Sequence, residues 1–488
     1  MLIAMFSCGL LFGCVMGPDF LPPEAPTEKT FTSAPLAKVT DAAPVPGGEG
    51  QTFIYGRDIP TQWWTLFHSS SLDGLMRRAL ADSPNLAKAE AALRQAVENH
   101  RARAGSLLPK VDGGFSAGRQ RNSGIPSGLS EGNASTYTLY NASVSVSYTL
   151  DLFGATRREL EALQSRVEYQ RYLLEAAHLT LASNLVTTAV REASLRAQIA
   201  ATKEIMAGEE ELFALMERRF ELGGAAQTEV LAQKAQLSKT RATLPPLEKD
   251  LAQTRHLLTA LAGNMPAKAA SLPEFHLEDF RLPRELPVSL PSALVRQRPD
   301  IRAAEELYHA ACAQVGVATA NLFPQLTISG GYGTAAGSFS NLFSTGTDIW
   351  NIGGGLLQPV FRGGELTAKR RAALAAYDAA EAEYRETVLQ AFRNVADVLR
   401  ALELDARTLK VQAEAENDAR TVLELTRKRY QYGSVGYPAL LDVQRRHQEA
   451  LLGLAQARAQ RFSNTAALFQ ALGGGWWNRA GEPGADAE

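Results

Sequence analysis

Four stretches of this chain alternate between apolar and polar positions, and they fall into two pairs separated by long helical tracts. The most regular runs from Tyr140 to Leu150, with Tyr140, Ala142, Val144, Val146, Tyr148 and Leu150 on one side and Asn141, Ser143, Ser145, Ser147 and Thr149 on the other. A period of two places these sets on opposite faces of a strand. Val111, Gly113, Phe115 and Ala117 alternate after Pro109, Leu326, Ile328, Gly330 and Tyr332 after Pro324, and Trp350, Ile352, Gly354 and Leu356 before Pro359. An apolar, aromatic face opposite a hydroxyl-rich one suits a strand with lipid outside a barrel and water inside. The pattern predicts two hairpins with polar loops at 121–136 and 334–347. Small closed barrels need about eight strands, and lipid tolerates no open strand edge. Other copies of the chain are therefore expected to supply the missing strands.

Beyond each hairpin the period becomes helical. Proline-free tracts run from about Thr156 to Glu221 and from about Leu366 to Gln431; at roughly 66 residues and about 1.5 Å per residue, each spans about 100 Å. In the second, Val388, Val395, Leu402 and Leu409 fall at sevens, with Phe392, Leu399 and Ala406 four residues after the first three. This is one apolar stripe of a coiled-coil repeat. Each tract stops at a glycine turn, Leu222-Gly223-Gly224 or Tyr432-Gly433-Ser434, and returns as a helix of about 35 residues to Gly263 or Gly473. Shorter helices are expected from Trp63 to Ala81, from Pro84 to about Leu108, and from Pro299 to Phe323.

The two halves repeat each other. Pro84 and Pro299 stand 215 positions apart, as do Pro109 and Pro324, while Arg219-Phe220-x-x-Gly223 and Arg429-Tyr430-x-x-Gly433 are displaced by 210. Two copies make one pseudo-symmetric domain rather than an open solenoid. The organisation expected is a signal peptide over 1–13, an extended arm over 14–62, a first repeat over 63–262, a crossing over 263–290, a second repeat over 291–475, and a disordered Gly-rich acidic tail over 476–488.

Composition narrows the function. Among 488 residues, 50 basic against 52 acidic side chains leave a net charge of −2, with no electrostatic case for nucleic acid. Of three cysteines, Cys8 and Cys14 lie in the apolar N-terminus and Cys312 on a helix, so no disulfide framework is expected and Cys312 reads as a small buried hydrophobe. None of the seven histidines has another within five positions, and there is no phosphate-cradling glycine loop or Gly-x-Ser-x-Gly elbow. Neither an enzyme nor a metal or organic cofactor is expected. A coiled-coil scaffold lipoprotein, such as a periplasmic adaptor, would explain the long helices but not two alternating hairpins bounded by proline.

Leu11-Phe12-Gly13-Cys14 resembles a bacterial lipobox, which implies a covalent lipid on Cys14. That segment and the following Gly17-Pro18-Asp19-Phe20 are joined by Asp151-Leu152-Phe153-Gly154 after the first hairpin, Pro359-Val360-Phe361-Arg362-Gly363-Gly364 after the second, and Arg429-Tyr430-x-x-Gly433. In this order they resemble the TolC-like outer-membrane efflux proteins, in particular the NodT-type lipoproteins, from Cys14 to about Gly475. The resemblance implies a membrane α/β fold: a homotrimer in which four strands per chain build a 12-stranded outer-membrane β-barrel, continued by a long periplasmic α-helical barrel. It implies small-molecule efflux from an inner-membrane resistance-nodulation-division (RND) transporter and a periplasmic adaptor, with outer-membrane lipid around the barrel. A duct for type I protein secretion is the alternative.

The same resemblance implies a gate near the turns marked by Gly223 and Gly433. The stretch Tyr437-Pro438-Ala439-Leu440-Leu441-Asp442-Val443-Gln444-Arg445 matches the family's constriction, with Pro438 in place of a usual leucine. Threefold symmetry would ring the pore with Asp442 carboxylates, which attract cations, and Arg445 would pair with a neighbouring acid. Glu229 would bond Tyr430, linking the two helical hairpins in the closed state.

Overall fold

A computed structural model describes residues 15–122 and 135–479, so Cys14 and the signal-peptide segment lie outside the described residues. Two compact units divide the chain. The first lies within residues 1–23, 92–170 and 303–384, and the second within 24–91, 171–302 and 385–488.

In chain order the elements are β1 (Thr52–Tyr55), α1 (Ser70–Asp82), α2 (Pro84–Ala104), β2 (Lys110–Asn122), β3 (Ser135–Leu150), α3 (Ala155–Glu221), α4 (Gln227–Leu261), β4 (Glu285–Val288), α5 (Pro291–Gln297), α6 (Pro299–Ala320), β5 (Gln325–Ala336), β6 (Asp348–Leu357), α7 (Glu365–Gln431) and α8 (Tyr437–Ala471). The α3 and α7 helices each have 67 residues, and α4 and α8 each have 35. Proline opens α2, α5 and α6, where its missing N–H is not needed and its fixed φ suits the first turn.

The first unit holds a four-stranded antiparallel sheet in the order β2-β3-β5-β6. Directly paired residues lie on the same face, so the register tests the alternation. Val111 pairs with Val146, Val146 with Gly330, and Gly330 with Ile352; Gly113, Val144, Tyr332 and Trp350 form the adjacent row. All four apolar series therefore share one face. That face is open, with Trp350 at 72% and Ile352 at 77% exposure. On the other face lie Asp112, Ser145, Gly331 and Asn351, while Thr149 and Thr327 hydroxyls meet at 3.1 Å. The outer edges of β2 and β6 have no partner strand among the described residues.

The same unit seats the start of the arm. Met16 N–H donates to the Phe153 carbonyl at 3.2 Å, and the buried Arg158 donates to the Met16 carbonyl at 3.2 Å, to Asp19 at 2.5 Å and to Glu161 at 2.7 Å. Phe20 stacks on His309 at 4.4 Å, and the buried Cys312 thiol faces the Pro18 carbonyl at 3.6 Å. Gly17 has φ +96, and a Cβ there would strike the Gly316 backbone, so only glycine fits this close approach. The Gly-Pro-Asp-Phe motif is thus a docking segment.

The second unit is built around an aromatic and aliphatic core that includes Trp63, Phe67, Phe275, Phe462 and Phe469, with Trp63 stacked on Phe469 at 5.2 Å. On α7 the heptad positions Val395, Leu402 and Leu409, with Leu399 and Ala406, are buried as the pattern predicts. Leu404, Val411 and Leu425 on the same helix form a second, exposed apolar series.

Within the arm over 14–62, β1 pairs in parallel with β4, Thr52 opposite Glu285 to Tyr55 opposite Val288, a pairing the sequence pattern does not announce. Two expectations need correction. Trp63 to Ala81 is not one helix. A 3-10 turn at Trp63–Phe67 ends at His68 in the left-handed region (φ 52), and Ser69 then caps α1 by accepting from Leu72 N–H. The tail does not begin at 476, because Trp476–Asn478 form a 3-10 turn in which the Trp476 indole donates to the Gln297 carbonyl at 2.7 Å; residues 480–488 lie outside the described residues.

Candidate functional site at the helical turns

The two long helices, α3 and α7, end by the same device. Gly223 N–H donates to the Phe220 carbonyl at 2.9 Å and Gly224 N–H to Arg219 at 2.7 Å; Gly433 donates to Tyr430 at 3.0 Å and Ser434 to Arg429 at 2.9 Å. The glycines have φ +77 and +73, which favours a residue without Cβ. Leu222 and Tyr432, immediately before them, are 79% and 87% exposed.

Behind the turns a small core joins the two hairpins. Met216 of α3, Leu423 and Tyr430 of α7, and Tyr437 and Leu440 of α8 are buried together, with Val230 of α4 packed against them. The Tyr430 and Tyr437 rings meet edge-on at 6.5 Å, and the Arg219 guanidinium lies 5.3 Å from the Tyr430 ring centre. Pro438 occupies the first turn of α8, where a proline is tolerated without kinking the helix.

The polar link between hairpins is made by a residue other than the one expected. The Tyr437 hydroxyl donates to Gln233 Oε1 at 2.6 Å, Gln233 Nε2 donates to the Glu209 carbonyl at 3.1 Å, and Gln236 donates to the Glu209 carboxylate at 3.0 Å. Burial pushes the Tyr437 phenol well above its usual range, and the Glu209, Tyr430 and Glu229 charges act in the same direction. Tyr437 is therefore a neutral donor at any physiological pH. Glu229 does not bond Tyr430: its carboxylate accepts from Ala226 N–H at 3.3 Å and caps its own helix, a short-range bond favoured by the helix dipole. Arg445 pairs with Asp442 of its own helix at 3.0 Å, and Arg446, one residue on, pairs with the other Asp442 oxygen at 2.8 Å.

The structure thus brings Tyr430 and Tyr437 together, and Asp442 with Arg445, but leaves Glu229 outside the link. Gln233, Glu209, Arg219 and Arg446 were not anticipated. Only Arg446 carried a sequence signal, its i, i+4 spacing from Asp442. Replacing Tyr437 with phenylalanine leaves Gln233 Oε1 without its buried donor and costs about 1–2 kcal/mol. Amide hydrogen exchange around 430–440 should quicken by roughly 5- to 30-fold, and unchanged protection would mean the bond does not hold the hairpins.

The model of the outer membrane efflux protein family matches residues 75–264 and 290–474. The pyoverdine export outer membrane protein OpmQ of Pseudomonas putida is 30% identical over 451 residues, covering 91% of this chain and 94% of OpmQ. The toluene efflux pump outer membrane protein TtgF, also of Pseudomonas putida, is 30% identical over 480 residues, covering 97% of this chain and 96% of TtgF. The solved outer-membrane channel OprN superposes with a TM-score of 0.85 at 27% identity, over 95% of this chain and all of OprN's. With matches of this extent across both halves, the chain belongs to the outer membrane efflux protein family.

Proposed function

We propose that this outer-membrane efflux channel is a passive duct formed by three copies of the chain, each giving four strands to a 12-stranded barrel whose helices continue into the periplasm as a tunnel. The observation that carries this reading is the sheet itself, with one apolar exposed face and two edges, β2 and β6, that have no partner strand among the described residues. In lipid those edges must be paired, and β2 of one copy beside β6 of the next closes the ring. The exposed series Leu404, Val411 and Leu425 would be covered by a neighbouring copy in the same assembly. No helix among the described residues is long and apolar enough to cross a membrane.

Transport through such a duct needs no covalent chemistry. Cargo arrives from an inner-membrane RND transporter through a periplasmic adaptor, and the hairpin turns are the end at which those partners meet the channel. The Tyr437–Gln233 bond holds the hairpins in the resting state, with Asp442 and Arg445 at the constriction. Lipid on Cys14 would anchor the arm, whose docking by Arg158 and Gly17 fixes the residues immediately after it. The names of OpmQ and TtgF point to small organic cargo.

Deleting the gene and exposing cells to a panel of small toxic compounds tests this function. Increased sensitivity to some of them, restored by the wild-type gene, is expected; unchanged sensitivity and unchanged compound retention across the panel, in a strain lacking other channels of this family, would contradict it.

A further inference from the structure

The charge at the second hairpin's end departs from that of the rest of the molecule. Between Glu424 and Arg446 there are five basic residues, Arg427, Lys428, Arg429, Arg445 and Arg446, against two acidic ones, Glu424 and Asp442, a surplus of three in a chain whose net charge is −2. All five basic side chains are exposed. The corresponding end of the first hairpin has no such surplus: Arg218, Arg219 and Lys234 are matched by Glu217, Glu221 and Glu229.

The geometry at Asp442 gives this excess a direction. A lone carboxylate near a constriction would draw cations into it. Here each Asp442 oxygen has its own guanidinium, Arg445 at 3.0 Å and Arg446 at 2.8 Å. One of these arginines neutralises the carboxylate, and the other leaves a net positive charge on that face of α8. The next carboxylate along α8, the exposed Glu449, forms no ion pair with either arginine among the described residues.

We infer that Arg446 makes the periplasmic constriction electropositive and that the channel therefore selects anionic solutes, such as small organic acids carrying carboxylates. The inference rests on the proposed trimer, in which three such faces surround one path. Threefold symmetry then leaves three positive charges at the Asp442 level, reinforced by Arg427, Lys428 and Arg429 near the turn. Low-dielectric walls focus such a field. Arg445 and Arg446 share the Asp442 carboxylate, and it is the presence of the second guanidinium that sets the sign.

The test is ion selectivity of the purified full-length protein in planar bilayers under a potassium chloride gradient. The wild-type channel should show a reversal potential of anion-preferring sign. Arg446→Gln should lower the chloride-to-potassium permeability ratio by about sevenfold, the size expected when a constriction loses about one kT of potential, which acts on the two ions in opposite directions. Asp442→Asn should raise the ratio, and Lys428→Gln, farther from Asp442, should lower it less than Arg446→Gln does. The substituted side chains are exposed or half-buried, so folding is not at stake. A wild-type channel that prefers cations, or a ratio unmoved in Arg446→Gln, overturns the inference while leaving the duct intact. Failure of any preparation to conduct would instead strike at the duct reading itself.

Discussion

Replacing Arg461 with alanine is expected to loosen the second unit by roughly 3 kcal/mol or more. Arg461 is fully buried on α8, and its guanidinium donates to the Thr40 hydroxyl at 3.0 Å and to the Glu49 and Asp41 carbonyls. Burial lowers its pKa, opposed by the nearby charges of Glu49, Asp405 and Asp41. No carboxylate touches it, so its role is to satisfy backbone carbonyls of the arm that would otherwise be buried unpaired. Each unpaired acceptor costs about 1–3 kcal/mol, and truncation adds a cavity. Arg461→Met, which keeps most of the volume, should cost less. Thermal unfolding in detergent checks the order: alanine lowest, methionine intermediate, wild type highest. An alanine variant as stable as wild type would remove the arm from the list of what holds this unit together.

The second large effect belongs to the sheet. Gly333 of β5 pairs with Ser143 of β3, and a Cβ there would collide with the Ala142 carbonyl oxygen and lie 2.7 Å from Ser143 Cα. Gly333→Val puts a branched side chain where two backbones meet, so β3 and β5 cannot keep their register. Since these are the two central strands, the sheet would fail as a unit. The folded protein in outer-membrane fractions should fall at least several-fold, and compound sensitivity should rise with it. Gly353 of β6, where an added Cβ meets nothing within 4 Å, is the control: Gly353→Ala should leave both unchanged. Equal levels of Gly333→Val and wild type would contradict the register.

The sheet was legible in the sequence because half its residues face one environment and half another, which forces a period of two. The long helices were legible for a related reason: a heptad stripe, no proline and a glycine turn leave few alternatives. What could not be read depends on residues far apart in the chain. The β1 and β4 strands are four residues each, and β4 contains Pro287, so neither carries a pattern until the other is beside it. The break at His68 depends on Ser69 capping α1, and a serine between two apolar runs reads equally well as surface. At the turns, the bond that forms is not the one expected. Glu229 had a nearer partner in its own N-terminal backbone, and Tyr437 found Gln233 from the other hairpin, 204 positions earlier.

Extraction in mild detergent, followed by native mass measurement and electron microscopy, should give a particle of three chains in which β2 of one lies beside β6 of the next and the helices continue as a rod well over 100 Å in total length, since α3 and α7 alone are each about 100 Å. A monomer or dimer with its strand edges unpaired would contradict the barrel, and with it the path proposed for the cargo.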